Sequence, residues 1–231
     1  MPLKSWSVTC IEFEEGDLFS FVVAFSQLAP VFVCVSLATL CAFQRDLRVA
    51  VFFVGQLFDA AFNQVVKRII KQPRPHGITN ASLRTDYGMP SNHSEFILFF
   101  STYAALVVLF RCKFQHKLWK APLVVGLYLI ALVVAYSRLL FTHHTLEQVV
   151  VGAIVGFFMA ILWFALDTYV FGPYVYPVIE EWSLAKYFYI KDSCKVDNLL
   201  KWEWEECRKR GGAHKKTKLA VVPKEKTKKT R

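Results

Sequence analysis

Residues 148–166, QVVVGAIVGFFMAILWFAL, contain no charged side chain. A transmembrane helix needs about 20 mostly apolar residues to cross the hydrocarbon core of a bilayer. Four further apolar runs lie at 18–44, 49–66, 96–110 and 121–137, and Asp59 is the only charge in them. A soluble protein with buried helices is the alternative, but runs this long and close together leave too little polar surface for a soluble exterior. The sequence therefore predicts an all-α, polytopic membrane protein.

The apolar runs divide the chain into segments. We expect five transmembrane helices, at about 20–43, 49–66, 95–111, 121–140 and 147–170. In residues 174–190, aromatic side chains alternate with Glu180, Glu181 and Lys186, which favours an interfacial helix over a sixth span. The division then comprises an N-terminal segment (1–19), a membrane domain (20–173), the interfacial helix (174–190) and a basic tail (191–231).

Basic residues indicate how the spans are oriented. The short connections at 44–48 and 111–120 contain Arg or Lys, and the tail from Lys191 onward adds 14 more. Because Lys and Arg accumulate on the cytosolic side, we expect both connections and the tail to be cytosolic. With five spans, the acidic N-terminus then faces the lumen or the outside. The polybasic tail suits anionic headgroups, so we expect membrane lipid as its partner and not nucleic acid.

Three polar clusters lie at span ends on the predicted non-cytosolic side. They are Lys67 with Arg74-Pro75, Pro90-Ser91-Asn92-His93, and Ser137-Arg138 with His144. Cations beside a span are usually headgroup anchors, but the positive-inside rule disfavours them on this side, so they need another role. Because guanidinium and ammonium groups match phosphate oxygens, Lys67, Arg74 and Arg138 are candidate phosphate ligands. The imidazoles of His93 and His144 can transfer protons or attack phosphorus.

The order and spacing of these clusters, Lys-x6-Arg-Pro, Pro-Ser-x-His and Ser-Arg-x5-His, resemble the motifs of the type 2 phosphatidic acid phosphatase superfamily. The resemblance implies a helical bundle of the kind shared with vanadium haloperoxidases. It implies that His144 is the nucleophile and that His93 protonates the leaving group. It also implies phosphate binding by Lys67, Arg74, Ser91, Asn92 and Arg138. No cluster contains carboxylates suited to Mg²⁺, so we expect neither a metal ion nor another cofactor.

The chain departs from the superfamily pattern at two positions. Asn92 stands where Gly is usual, and Gln148 stands where Asp is usual, four residues after the nucleophile. An amide oxygen can orient the imidazole of His144 but adds no negative charge, so we expect that imidazole to be less basic. Glu147 is an alternative orienting group. His143 misses the motif register by one residue and is expected to be a bystander.

A narrower resemblance is to the dolichyldiphosphatase subgroup of the superfamily. It is carried by Leu28-Ala29-Pro30-Val31-Phe32-Val33, Tyr87-Gly88-Met89 and His144-Thr145 with Gln148. This resemblance implies a polyprenyl substrate, dolichyl diphosphate, hydrolysed to dolichyl phosphate and inorganic phosphate. The implied place is the lumenal face of the endoplasmic reticulum, where the reaction recycles the lipid carrier for N-glycosylation. Near the C-terminus, Lys228 and Lys229 resemble a dilysine retrieval signal that is read from the cytosol.

Two other interpretations fit the same residues. The chain could be a lipid phosphate phosphatase of broader specificity, acting on phosphatidate-like monoesters. It could also be a non-catalytic membrane protein that retains a phosphate pocket, an interpretation supported by the missing Gly and Asp of the motifs. The presence of both His93 and His144 argues against the second alternative, because phosphate binding alone does not require two imidazoles. A panel of lipid phosphate substrates would distinguish the broader phosphatase from a dolichyldiphosphatase.

Overall fold

A computed structural model describes residues 3–6, 11–14, 16–75, 87–114, 116–196 and 201–211. Its helices are α1 (Leu18–Ser26), α2 (Ala29–Gln44), α3 (Leu47–Ile70), α4 (Asn92–Leu106), α5 (Lys120–Leu140), α6 (Leu146–Leu166), α7 (Tyr176–Glu181) and α8 (Ser183–Phe188). π-Helical segments continue α4 over Val107–Arg111 and α6 over Asp167–Val175, and 3₁₀ turns cover Lys117–Trp119 and Ser193–Lys195. An antiparallel hairpin of β1 (Leu3–Trp6) and β2 (Ile11–Glu14) precedes the bundle. Residues 193–231 form a separate unit, in which 201–211 are helical.

The predicted helical membrane bundle is confirmed. Four continuous helices are long and apolar enough to cross a membrane: Leu47–Ile70, Asn92–Arg111, Lys117–Leu140 and Leu146–Glu181. The pair α1 and α2 provides a fifth span if the two are counted together. The central helix is α4 with its π-helical continuation, because half of its apolar window is buried, against 22% for the other three spans.

The first span is not the single helix that we predicted. α1 and α2 meet at a 47° bend, with Gln27 and Leu28 between them. Pro30 lies in the first turn of α2 and has no N–H to donate back to α1. The N–H of Val31 donates to the carbonyl of Leu28 at 2.9 Å. The helical ladder is therefore interrupted at Gln27, and a new helix begins after it.

The last span is longer than predicted. The helix that begins at Leu146 continues through its π-helical segment as far as Glu181, so residues 174–190 do not form one interfacial helix. Only Ser183–Phe188 forms a separate helix. Glu180 lies near the end of the long helix, and its side chain accepts a hydrogen bond from the N–H of Asp192 at 3.0 Å.

Two glycines allow α6 to pack closely against α4. A Cβ on Gly152 would lie 2.6 Å from the carbonyl oxygen of Ser91, and one on Gly156 would lie 2.1 Å from that of Glu95. Small residues permit such backbone contacts between membrane helices. The packing brings the beginning of α6 beside the beginning of α4, where two of the polar clusters lie.

We expect Gly156→Ala to destabilise the fold by about 1–3 kcal/mol, because the new methyl group would press on the α4 backbone and not on a movable side chain. The melting temperature in detergent should fall accordingly. Gly126→Ala is the matched control, since nothing lies within 4 Å of a Cβ at that position of α5. Equal melting temperatures for the two variants would contradict the close approach of α6 to α4.

A buried polar cluster ties the other ends of the same helices together. Asp167 is fully buried and accepts hydrogen bonds from Tyr103 at 2.6 Å, from Arg111 at 2.5 Å and from Arg48 at 3.3 Å. The hydroxyl of Tyr176 donates to the same carboxylate. Buried charges require this degree of pairing. The cluster joins α3, α4, α6 and α7 at the end opposite to the motif residues.

Candidate active site

The three polar clusters meet at one end of the bundle. Lys67 lies in the last turn of α3, Ser91 precedes α4, Arg138 lies in the last turn of α5 and His144 precedes α6. All four side chains are buried, with at most 4% of each residue exposed. Because α4 and α6 both begin here, their positive helix-dipole ends also point to this region. The combination of the Lys67 and Arg138 cations with two helix N-termini favours an anionic ligand.

His144 is held between two side chains. Its Nδ1 lies 3.1 Å from the Oε1 of Gln148, and its Nε2 lies 3.2 Å from the Nη1 of Arg74. The same Arg74 nitrogen donates to the carbonyl oxygen of His143 at 3.3 Å. The N–H groups of His143 and His144 both donate to the carbonyl oxygen of Arg138, at 3.1 and 3.2 Å. The chain therefore folds back after α5 and sets His144 beside Arg74.

The contacts of Gln148 determine which tautomer His144 adopts. The amide nitrogen of Gln148 donates to the carbonyl oxygen of Pro73 at 2.9 Å and to Oε1 of Gln72 at 3.3 Å. Its oxygen therefore faces His144 and also accepts from the N–H of Thr145 at 3.4 Å, as part of the capping box that begins α6. An acceptor at Nδ1 requires the proton to be on Nδ1. The lone pair of His144 is then on Nε2, beside the Arg74 guanidinium.

Burial and nearby cations lower the pKa of both histidines in this turn. For His144, burial is the largest cause, followed by Arg74 and Arg138, and its pKa falls to about 2 despite the hydrogen bond to Gln148. For His143, burial followed by Arg138 and Arg74 lowers the pKa to about 4. A lowered pKa disfavours the protonated form, so His144 is neutral at physiological pH. A neutral imidazole is the form that can act as a nucleophile.

The Pro-Ser-x-His cluster joins the site through α4. The N–H of Ser91 donates to the carbonyl oxygen of Gln148 at 3.0 Å, and its hydroxyl oxygen accepts from Ser94 at 3.1 Å. The Ser91 hydroxyl acts as the acceptor in that contact, so its own proton is left to donate to another group. Asn92 begins α4, and its Oδ1 is buried without a hydrogen-bond partner in the described part of the chain. His93 lies in the first turn of α4, near Arg138 and the main chain of Gln27.

Comparisons with known proteins agree with the motifs. The family model of the PAP2 superfamily matches residues 48–171. The chain belongs to the PAP2 superfamily. It is 37% identical over 213 residues to human Dolichyldiphosphatase 1, covering 88% of this chain and 89% of the relative. It is 34% identical to Dolichyldiphosphatase 1 of Dictyostelium discoideum, with 91% and 92% covered. No solved structure matches the chain.

A plant protein with a different name is also similar to this chain. The chain is 31% identical over 210 residues to Lipid phosphate phosphatase gamma of Arabidopsis thaliana, covering 89% of this chain and 92% of the relative. The PAP2 superfamily thus includes relatives of this chain under both a dolichyldiphosphatase and a lipid phosphate phosphatase name.

Of the two alternatives for orienting His144, the structure places Gln148 in contact. Gln148 is fully buried, whereas the side chain of Glu147 is exposed. His143 contacts the site through its main chain, and its ring packs edge-on against Phe141 at a centroid distance of 6.3 Å. These positions favour Gln148 as the orienting group and a minor role for the His143 ring.

Several residues that contact Arg138 and Gln148 belong to none of the three polar clusters. Gln27, in the break between α1 and α2, accepts a hydrogen bond from Nη1 of Arg138 at 2.7 Å. Gln72 and Pro73 supply the acceptors that fix the Gln148 amide. A polar residue inside an apolar run is a functional candidate by default, and this signal could have identified Gln27. The acceptor role of Pro73 had no signal, because it belongs to the main chain.

A buried polar layer lies beneath the site. Asn63 of α3 donates to the carboxylate of Glu95 on α4 at 2.5 Å. Asp59, one helical turn before Asn63, is fully buried, and neither of its carboxylate oxygens has a hydrogen-bond partner in the described residues. Within those residues no three His, Cys, Asp or Glu side chains are grouped as metal ligands would be. The expectation of a metal-free site stays a prediction, which chelation tests.

We expect Gln148→Leu to lower kcat by about 10–100-fold with a smaller change in KM, because the ring of His144 loses the acceptor that orients it. Gln148→Glu keeps an acceptor and adds a negative charge. The pKa of His144 should then rise, and the acidic limb of the rate profile should move to higher pH. Rate profiles against pH for both variants would measure these effects.

Glu147→Ala is the matched control for Gln148, since its side chain is exposed one position away. It should keep the turnover of the parent. Loss of turnover in Glu147→Ala together with a normal rate in Gln148→Leu would assign the orienting role to Glu147 instead.

Proposed function

We propose that the chain is a membrane phosphatase that hydrolyses dolichyl diphosphate to dolichyl phosphate and inorganic phosphate. The observation that carries the proposal is the placement of His144, whose unprotonated Nε2 lies 3.2 Å from Arg74 at the end of the bundle where Lys67 and Arg138 also lie. This is a nucleophile within a phosphate-binding group of cations. The printed names of the human and Dictyostelium relatives support the choice of substrate.

In the proposed first step, Lys67, Arg74 and Arg138 neutralise the terminal phosphoryl group as charge develops on its oxygens. Nε2 of His144 attacks the terminal phosphorus in line, and a phosphohistidine forms. The bond to the bridging oxygen breaks, and its electron pair leaves with dolichyl phosphate. His93 protonates that oxygen.

The second proposed step regenerates the enzyme. His93, now neutral, removes a proton from water, and the water oxygen attacks the phosphohistidine. Inorganic phosphate leaves, and the lone pair returns to Nε2 of His144. Gln148 holds the ring in one orientation through both steps because its own amide nitrogen is bonded to Pro73. We assign the hydroxyl of Ser91 and the groups of Asn92 at the beginning of α4 to binding phosphate oxygens.

The proposed location is the endoplasmic reticulum membrane, with the site on the lumenal face and the C-terminus in the cytosol. The charge distribution around the short connections supports this orientation. In that place the reaction would recycle the carrier lipid for N-glycosylation. The proposed retrieval signal at Lys228 and Lys229 lies outside the described residues.

A lipid phosphate phosphatase of broader specificity is the second candidate. The name of the Arabidopsis relative favours it, because the chain covers most of that protein at 31% identity. The residues that we place around the phosphate would bind a phosphate monoester equally well. The choice between the two candidate functions therefore depends on the lipid and on the leaving group.

Phosphate release by the purified full chain in detergent tests the proposal. The substrates are dolichyl diphosphate, farnesyl diphosphate and phosphatidate, each with and without EDTA and orthovanadate. We expect the highest kcat/KM for dolichyl diphosphate, activity that survives EDTA, and inhibition by vanadate, which mimics five-coordinate phosphorus. Preference for phosphatidate would favour the broader phosphatase, and loss of activity in EDTA with rescue by Mg²⁺ would contradict a metal-free site.

A further inference from the structure

The break between α1 and α2 exposes a main-chain carbonyl at the site. In a continuous helix, the carbonyl of Gln27 would accept from the N–H of Val31. Here the Val31 N–H donates to Leu28 instead, and Pro30 has no N–H. The Gln27 carbonyl is thereby released from the helical ladder. A carbonyl outside the ladder can accept a hydrogen bond from another group.

His93 on α4 lies near the main chain of Gln27. The N–H of Gln27 already donates to the carbonyl of Ala24 at 3.1 Å, so the carbonyl oxygen is the main-chain group of Gln27 that is left to accept a hydrogen bond. The break in the first span thus brings Gln27 beside a residue at the beginning of α4.

The side chain of Gln27 holds a second member of the site. Its Oε1 accepts from Nη1 of Arg138 at 2.7 Å, and Arg138 is only 4% exposed. A neutral acceptor orients the guanidinium but leaves its positive charge for a ligand, whereas a carboxylate would neutralise it. One residue of the broken span therefore contacts Arg138 on α5 and lies near His93 on α4.

We propose that Gln27 is a positioning residue of the active site, which sets the Arg138 guanidinium through its side-chain oxygen. The proposal rests on the proposed function, because it takes Arg138 as a phosphate ligand. It goes beyond that function by making the bent first span part of the site. Gln27 acts through Arg138 and does not itself touch the reacting atoms.

The proposal is tested with Gln27→Met, which keeps the length of the side chain but removes the oxygen that accepts from Arg138. A buried guanidinium that loses its partner should bind phosphate less well, so kcat/KM should fall by about tenfold or more. Orthovanadate should also stabilise the variant less against heating. Gln44→Met, at the exposed end of α2, is the matched control and should match the parent.

A double-mutant cycle with Arg138→Ala separates positioning from general destabilisation. If Gln27 acts through Arg138, Gln27→Met should have little further effect in the Arg138→Ala background. Additive losses, or parent values of kcat/KM and vanadate stabilisation in Gln27→Met, would overturn the proposal. The vanadate measurement needs no turnover. Stabilisation that depends on Gln27 in a protein that hydrolyses no lipid phosphate would support the positioning role and contradict the proposed function.

Discussion

Replacing His144 with alanine is expected to abolish phosphate release, with a fall in kcat of roughly 10⁴-fold or more. The substitution removes the nucleophile, and no other described side chain presents a neutral nitrogen that is both oriented by a buried amide and adjacent to Arg74. Release of phosphate from dolichyl diphosphate by the purified variant measures the effect. A melting curve beside that of the parent shows whether the variant is folded.

His143→Ala is the control for His144. Its ring contacts Phe141, and its contribution to the site comes from the main chain, which alanine retains. We therefore expect a mild effect on turnover. A severe loss in this variant with near-normal turnover in His144→Ala would mean that the nucleophile is the neighbouring imidazole.

Replacing His93 with alanine is expected to lower kcat by about 10²–10⁴-fold, the range typical of a lost general acid and base. The loss should depend on the leaving group, because a more basic leaving oxygen needs protonation more strongly. Alcohol leaving groups are more basic than phosphate leaving groups. The fall should therefore be larger for phosphatidate than for dolichyl diphosphate, if both are substrates of the parent.

Ser94→Ala is a suitable comparison for His93, since it changes a buried neighbour on α4 whose hydroxyl donates to Ser91 and does not reach the leaving group in our scheme. If His93→Ala lowers kcat by the same factor for all leaving groups, His93 has a structural role. That result would contradict its assignment to proton transfer.

The membrane bundle was predictable because apolar runs of span length have few alternative structures. The run at 148–166 and its counterparts placed the starts of α3, α4, α5 and α6 to within three residues. α6, for instance, begins at Leu146 after the capping box of Thr145 and Gln148, one residue before the predicted start. Prediction failed at 18–44, since the number of apolar residues does not reveal how Pro30 redirects hydrogen bonds.

The site was partly predictable, because the motif residues recur at fixed spacing while their supporting contacts do not. The structure brings together Arg74, His144 and Gln148, and it sets Ser91 against the main chain of Gln148. Arg138 and Gln27 are 111 positions apart in the sequence, so no local sequence pattern predicts their contact. The helix that begins at Leu146 also continues past residue 170, through a π-helical segment over Asp167–Val175, and an interfacial position for 174–190 stays a prediction.

Trapping of the covalent intermediate tests the central claim most directly. The parent protein is mixed with a polyprenyl diphosphate that carries radiolabel in its terminal phosphate, and the reaction is stopped with alkali within one turnover. We predict protein-bound label that is stable to alkali, labile to acid and located in the peptide containing His144, with no label in His144→Ala. Rapid turnover of the parent without protein-bound label, or equal labelling of His144→Ala, would contradict the account.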